Sequence, residues 1–152
     1  MKEILEKRFK KAKKHYKALK DYHSYIKKMG DIYSPYIFTS LLIEEKAILE
    51  AYLKRFASLQ DYLGAKIFPL LLEVAGISAN KMSEVLYYIE KEEIIDSLDN
   101  WIELRVIRNE LVDCPEEIEE ALKDLKFCVY NFEKLEKYYL NALKFFEKYK
   151  WD

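Results

Sequence analysis

The amino-acid sequence predicts an all-α fold, an up-and-down helical bundle of four principal helices plus one or two short ones. Three observations predict it. Only three Gly and three Pro occur in 152 residues, so turn material is scarce and the elements must be few and long. Lys, Glu, Leu, Ile, Tyr and Ala dominate, which are helix formers joined by aromatic filler for the seams. Apolar residues recur at spacings of three and four along most of the chain, and no alternating apolar pattern holds up as a strand. The chain is 51% apolar and 35% charged, a globular balance. Its length suits one domain, residues 1–152, with its own core.

Residues 1–29 place Leu5, Phe9, Ala12, Tyr16, Leu19, His23 and Ile26 on one narrow seam, with Lys on the other faces. Gly30 and Asp31 end this helix. Ser34 and Pro35 read as an N-cap followed by Pro at the first helical position. A second long helix is expected to run from there to about Gly64, with Ile37, Leu41, Ile48, Tyr52, Phe56 and Leu59 inward. Phe68-Pro69 kinks or restarts the chain, and a short apolar helix over Leu70–Ala75 closes at Gly76. A third helix over Asn80–Ile95 buries Met82, Val85, Leu86 and Ile89. Ser97 or Asp99 caps the next helix. Pro115 opens a last long helix to Lys150, with acids in its first turns and Leu122, Leu125, Phe132, Leu135, Tyr139 and Phe146 inward.

Charge is unevenly spread. Residues 1–28 hold eleven Lys or Arg against three acids, a balance of +8, while the net charge of the whole chain is −1. The remainder therefore carries −9. Two readings of the basic helix stay open: a solvated face that complements the acidic body of the same domain, or a surface for nucleic acid or another acidic partner. No window approaches the ~18 apolar residues of a membrane span, so no membrane association is expected, and a reduced, cytoplasmic setting is the default. Cys114 and Cys128 make neither a disulfide framework nor a zinc pattern. His15 and His23 are eight apart, too far for a metal-binding pair one turn apart. No glycine-rich phosphate loop, nucleophile elbow or dinucleotide fingerprint occurs, so neither metal nor cofactor is expected.

Polar chemistry gathers most densely at Trp101–Pro115, WIELRVIRNELVDCP. Read as a helix, Trp101, Arg105, Arg108 and Val112 share a stripe, with Arg105, Asn109 and Asp113 stacked beside it. A guanidinium on a mostly apolar helix needs an acceptor. Either it pairs within the chain, as Arg108 to Asp113 or Arg105 to Glu110, or it belongs to a site.

Three runs together carry a family resemblance: Arg55–Lys66 (RFASLQDYLGAK), Leu86–Asp96, and the W-x-x-L-R-x-x-R-N-x-L-V segment from Trp101 to Val112. Over about residues 35–125 the chain resembles the HEPN superfamily. The branch in view is that of the HepT-like proteins encoded beside minimal nucleotidyltransferases. The resemblance implies a helical bundle and a homodimer with two motifs facing across a shared cleft. It also implies a two-gene toxin–antitoxin-type module with a minimal nucleotidyltransferase as partner. Active members resemble metal-independent ribonucleases with an Arg-x4-6-His motif, often Arg-Asn-x-x-x-His-x-Tyr. There an imidazole moves the proton while an arginine grips phosphoryl oxygens.

Carried onto this chain, the motif assigns Arg108 and Asn109 as catalytic positions, with Arg105 and Trp101 as binding residues beside them. The histidine position holds Asp113, and the tyrosine position falls on Pro115. Aspartate is ionised at neutral pH, a poor general acid that repels phosphate. The expectation is therefore a catalytically degenerate ribonuclease acting as a binding partner of the nucleotidyltransferase. Two alternatives stand beside it: a weak ribonuclease using Arg108 and Asn109, with Asp113 or His23 moving the proton, and an RNA or nucleotide binder using the basic first helix.

Overall fold

In the computed structural model, which describes residues 1–112 and 117–151, the chain is an all-α bundle. Helix α1 is Lys2–Lys28, α2 Pro35–Thr39, α3 Ile43–Tyr62, α4 Phe68–Val74 and α5 Met82–Lys91. They are followed by α6 Leu98–Val112, α7 Ile118–Tyr130 and α8 Phe132–Lys148. Helix α1 lies along α3 and touches α8, α6 lies along α7, and α3 also meets α6, α7 and α8. The shared core is built from Leu5, Tyr52, Phe56, Leu59, Leu135 and Tyr138, each with at most 1% exposure. No described helix is long and apolar enough to cross a membrane.

The α1 seam is as its spacing dictates: Leu5, Phe9, Ala12, Leu19, His23 and Ile26 are all buried, while Tyr16 is half-buried. His23 is a packed histidine. Its Nε2 sits 3.1 Å from the Val129 carbonyl, and its ring stacks on Phe132 at 4.1 Å between centroids.

Three expected helices are divided or shortened. The single helix expected from Pro35 to Gly64 breaks at residues 40–42. There the Thr39 and Ser40 hydroxyls donate to the carbonyls of Pro35 and Ile37, competing with helix continuation. Leu42 turns extended, and its N–H donates to the Glu45 side chain at 2.9 Å to open α3. Ile37, expected inward, is consequently 39% exposed. The helix expected over Asn80–Ile95 is shorter at both ends, Met82–Lys91, and just past its C-terminal end Glu93 adopts φ 60° and takes the chain out of the helix. Met82 is the first residue of this helix and is exposed. The last helix divides at Asn131, whose Nδ2 donates to the Phe127 carbonyl at 2.8 Å, and its expected opening at Pro115 lies outside the described residues.

Between α3 and α4 the chain passes through one wide turn, a π-helix over Leu63–Ile67, and restarts as α4 at Phe68-Pro69. The turn admits Pro69, whose ring would clash with the carbonyl four residues earlier in a regular helix. Gly76 then ends α4 with φ 79°, a left-handed conformation that glycine adopts without cost.

Candidate functional site

Helix α6 starts where Ser97 caps it. Its Oγ accepts the Asn100 N–H at 3.0 Å, and Asp96 accepts from the Asn100 side chain at 2.9 Å. From that start the inward stripe is Trp101, Leu104, Arg108 and Leu111, at spacings of three, four and three. Trp101 and Arg108 thus share a face as expected. Arg105 does not share it: one step off the stripe, it is exposed, as is Asn109. The stripe is turned because Leu104, the better hydrophobe, takes the buried position that the i, i+4 count gave to Arg105. Val112's side chain and all of Asp113 lie outside the described residues.

Trp101 is 3% exposed and belongs to the core, its ring 5.1 Å from Phe68 and 5.8 Å from Tyr138. The π-turn delivers Gly64 against it: a Cβ built there would lie 3.1 Å from Trp101 Cζ2. The glycine of the LQDYLG run therefore serves the close approach of α3 to α6. Gln60 fixes the same crossing by donating from Nε2 to the Trp101 carbonyl at 2.9 Å, with only 1% of the residue exposed.

Arg108 is 5% exposed, and its partner among the described residues is Asp61 on α3, whereas Asp113, the partner offered by sequence spacing, lies outside them. Nη2 donates to Asp61 Oδ1 at 2.5 Å and Nη1 to Oδ2 at 3.3 Å, a two-point grip. The Asp61 side chain stays 59% exposed, so the pair has a dry cationic end and a wet anionic end. Arg108 Nε is buried and finds no hydrogen-bond partner among the described residues. A hollow of about 400 Å³ opens beside the pair, lined by Glu50, Leu53, Lys54, Ser58 and Leu111. A smaller one of about 200 Å³, reached by Arg105, lies on the other side of Asp61 against Gln60, Gly64 and Trp101.

Behind Arg108, α7 presents Asp124 and Cys128 one turn apart. Asp124 is 7% exposed. Burial pushes the Cys128 thiol up to about 12, the Asp124 carboxylate adds to this, and the Arg108 guanidinium opposes it. Loss of solvation, with the Asp124 carboxyl beside it, raises the Glu110 carboxyl. The sequence reading missed Asp61, Gln60 and Asp124. Asp61 and Gln60 stand in the LQD segment quoted for the family resemblance, and the signal for a contact was there. Asp124 gives none, since an Asp in an acid-rich helix start reads as solvated.

His23 donates from Nε2 to the Val129 carbonyl in the α1–α7 seam, with its ring against Phe132. It does not join the Arg108 cluster. His15 is also spoken for, its Nδ1 lying 3.1 Å from Arg55 Nη1. No family model matches the chain, and no curated protein or solved structure matches it significantly.

What this geometry can do follows from charge. A guanidinium gripped at two points by a carboxylate is neutralised and oriented, so a phosphoryl oxygen would have to displace Asp61 to reach it. Arg105 and Asn109 are free of the described core and face outward from α6.

Proposed function

We propose that this chain is a catalytically degenerate HEPN-like module that works by binding, as partner of a minimal nucleotidyltransferase in a two-gene, toxin–antitoxin-type system in the cytoplasm. One observation carries the non-catalytic half of this reading: Arg108, the motif arginine, is buried and committed to Asp61. Phosphoryl transfer to a ribose hydroxyl needs a cation aimed at the developing charge and a proton-transfer group near neutral pKa. Arg108 is instead compensated, and the sequence places Asp113 where the family has its histidine. The all-α bundle and the W-x-x-L-R-x-x-R-N segment support the family half.

The homodimer belongs to the same proposal. Ile102 and Val106, 45% and 48% exposed, stand above Asn109 at i, i+4 and i+7 on the outer side of α6. A second copy seated there would cover both apolar side chains and bring two sets of Arg105 and Asn109 together. The test is co-expression of the tagged chain with the minimal nucleotidyltransferase encoded beside it, followed by light scattering on the purified material. A complex of fixed stoichiometry, together with a free chain of twice the protomer mass, supports the reading. A free monomer that retains no nucleotidyltransferase would sink it.

A further inference from the structure

The outward face of α1 carries chemistry that the Arg108 site does not use. With Leu5, Phe9, Ala12, Leu19, His23 and Ile26 turned inward, Lys7, Lys10, Lys14 and Lys17 fall at spacings of three, four and three on the opposite side, all exposed. That is one ammonium per helical turn, a step of ~5.4 Å along a rod ~40 Å long. Lys13 and Lys20 flank the row, and its own acids lie beyond its ends, with Glu3 and Glu6 before it and Asp21 after.

The row continues sideways onto α3 and the π-turn. Arg8 donates to the Lys66 carbonyl at 2.6 Å, Lys11 Nζ lies 5.3 Å from the centre of the Tyr62 ring, and Arg55 lies against His15. Burial, Arg55 and Lys11 all lower His15, so it adds an acceptor here and not another charge. Among the described residues no acid of the domain body forms an ion pair with this surface. Among the described residues the ion pairs are Arg108–Asp61 and Lys134–Asp96, and neither uses a cation of α1. Like charges one turn apart repel along the row, offset only by Glu3, Glu6 and Asp21, which stand four residues from Lys7, Lys10 and Lys17.

From this placement we infer that the α1 lysine row, with Arg8, Arg55 and Lys66 at its edge, is a docking surface for a nucleic-acid phosphate backbone, held without regard to base sequence. The occupant is a linear polyanion because the cations are evenly stepped along a straight rod. Lysines act as point charges on phosphates and carry no base readout. The surface lies on α1 and is independent of the Arg108 site, so it stands or falls apart from the nucleotidyltransferase reading.

The experiment is fluorescence anisotropy with labelled single-stranded RNA and duplex DNA of mixed sequence, titrated across about 50 to 200 mM KCl. Wild type is compared with a row variant, Lys7, Lys10, Lys14 and Lys17→Gln. The control, Lys81, Lys91, Lys123 and Lys144→Gln, makes the same change in net charge at exposed positions elsewhere. Circular dichroism confirms that both variants stay helical. Wild type is expected to bind with affinity falling linearly against log salt. The row variant should lose at least ~10-fold and flatten that slope by about 3 to 4, one step per phosphate contact, while the control stays within ~2-fold. Absence of binding by wild type at the lowest salt would overturn the inference, whether or not the row variant folds. Equal losses in the two variants would overturn it in favour of net charge alone. Displacement of the nucleic acid by polyglutamate at matched charge would overturn it in favour of an acidic protein.

Discussion

Replacing Asp61 by Ala should destabilise the fold far more than its exposure suggests. Asp61 is a 59%-exposed side chain, and a surface ion pair contributes ~0–1 kcal/mol. Arg108, however, is only 6% exposed at its side chain, and removing one member of a buried pair costs ~3–5 kcal/mol because a charge is left unpaired out of water. The wet end of this pair places the Asp61→Ala loss between those limits, at about 2 kcal/mol, in line with a hydrogen bond to a charged group. For a chain of this size that corresponds to a fall in Tm of roughly 4–8 °C. Urea unfolding of Asp61→Ala, Arg108→Met and the double variant forms the cycle. The double variant should recover much of what Asp61→Ala loses, since it has no buried charge to compensate. Loss of less than ~0.5 kcal/mol in Asp61→Ala, or a double variant no more stable than Asp61→Ala, would refute the view that Asp61 holds a buried Arg108 in place.

Further expectations concern the surrounding core. Gly64→Ala should cost about 1 kcal/mol despite alanine's higher helix propensity, because the new Cβ meets Trp101 at 3.1 Å and that ring is held by Phe68 and Tyr138; thermal melts decide the sign. His23 is lowered from its ordinary 6.5, first by burial. The folded state therefore binds fewer protons than the unfolded state, and stability is full above that pH and falls as pH drops below it. His15 has the same sign, so His23→Phe should flatten the stability–pH profile between about pH 7 and 5 only in part, and addition of His15→Gln should flatten it further. Cys128, raised to about 12 and buried, should resist iodoacetamide at pH 8 in a Cys114→Ser background and react only on addition of denaturant; mass spectrometry reads the adduct.

The fold class was legible because scarce glycine and proline and long runs of three–four spacing leave an α bundle as the consistent answer. The α1 seam came out residue by residue. The breaks at residues 40–42 and at Asn131 were not legible, since Thr39, Ser40 and Asn131 interrupt a helix through side-chain hydrogen bonds that periodicity does not register. At the site, sequence spacing offered Arg108 only partners on its own helix or just past it. Asp61, 47 positions away, became its partner because the π-turn and Gly64 draw α3 close to α6, a tertiary effect. The stripe error at Arg105 has the same origin, for Trp101 and Arg108 fit two helical faces and only the packing of Leu104 chose between them. On α8 the spacing placed Tyr139 inward, and Tyr138 is buried beside it as well, because α8 is covered on two sides by α1 and α3.

The proposed role turns on whether Arg108 is available to phosphate. The direct measurement is RNA cleavage by purified wild type, with Asp113→His and Arg108→Ala alongside in metal-free buffer. A degenerate binding module predicts no cleavage by wild type under conditions where the protein is folded and dimeric, whether or not Asp113→His restores it. Cleavage by wild type that disappears in Arg108→Ala would contradict the account and make this chain an enzyme whose arginine leaves Asp61 to work.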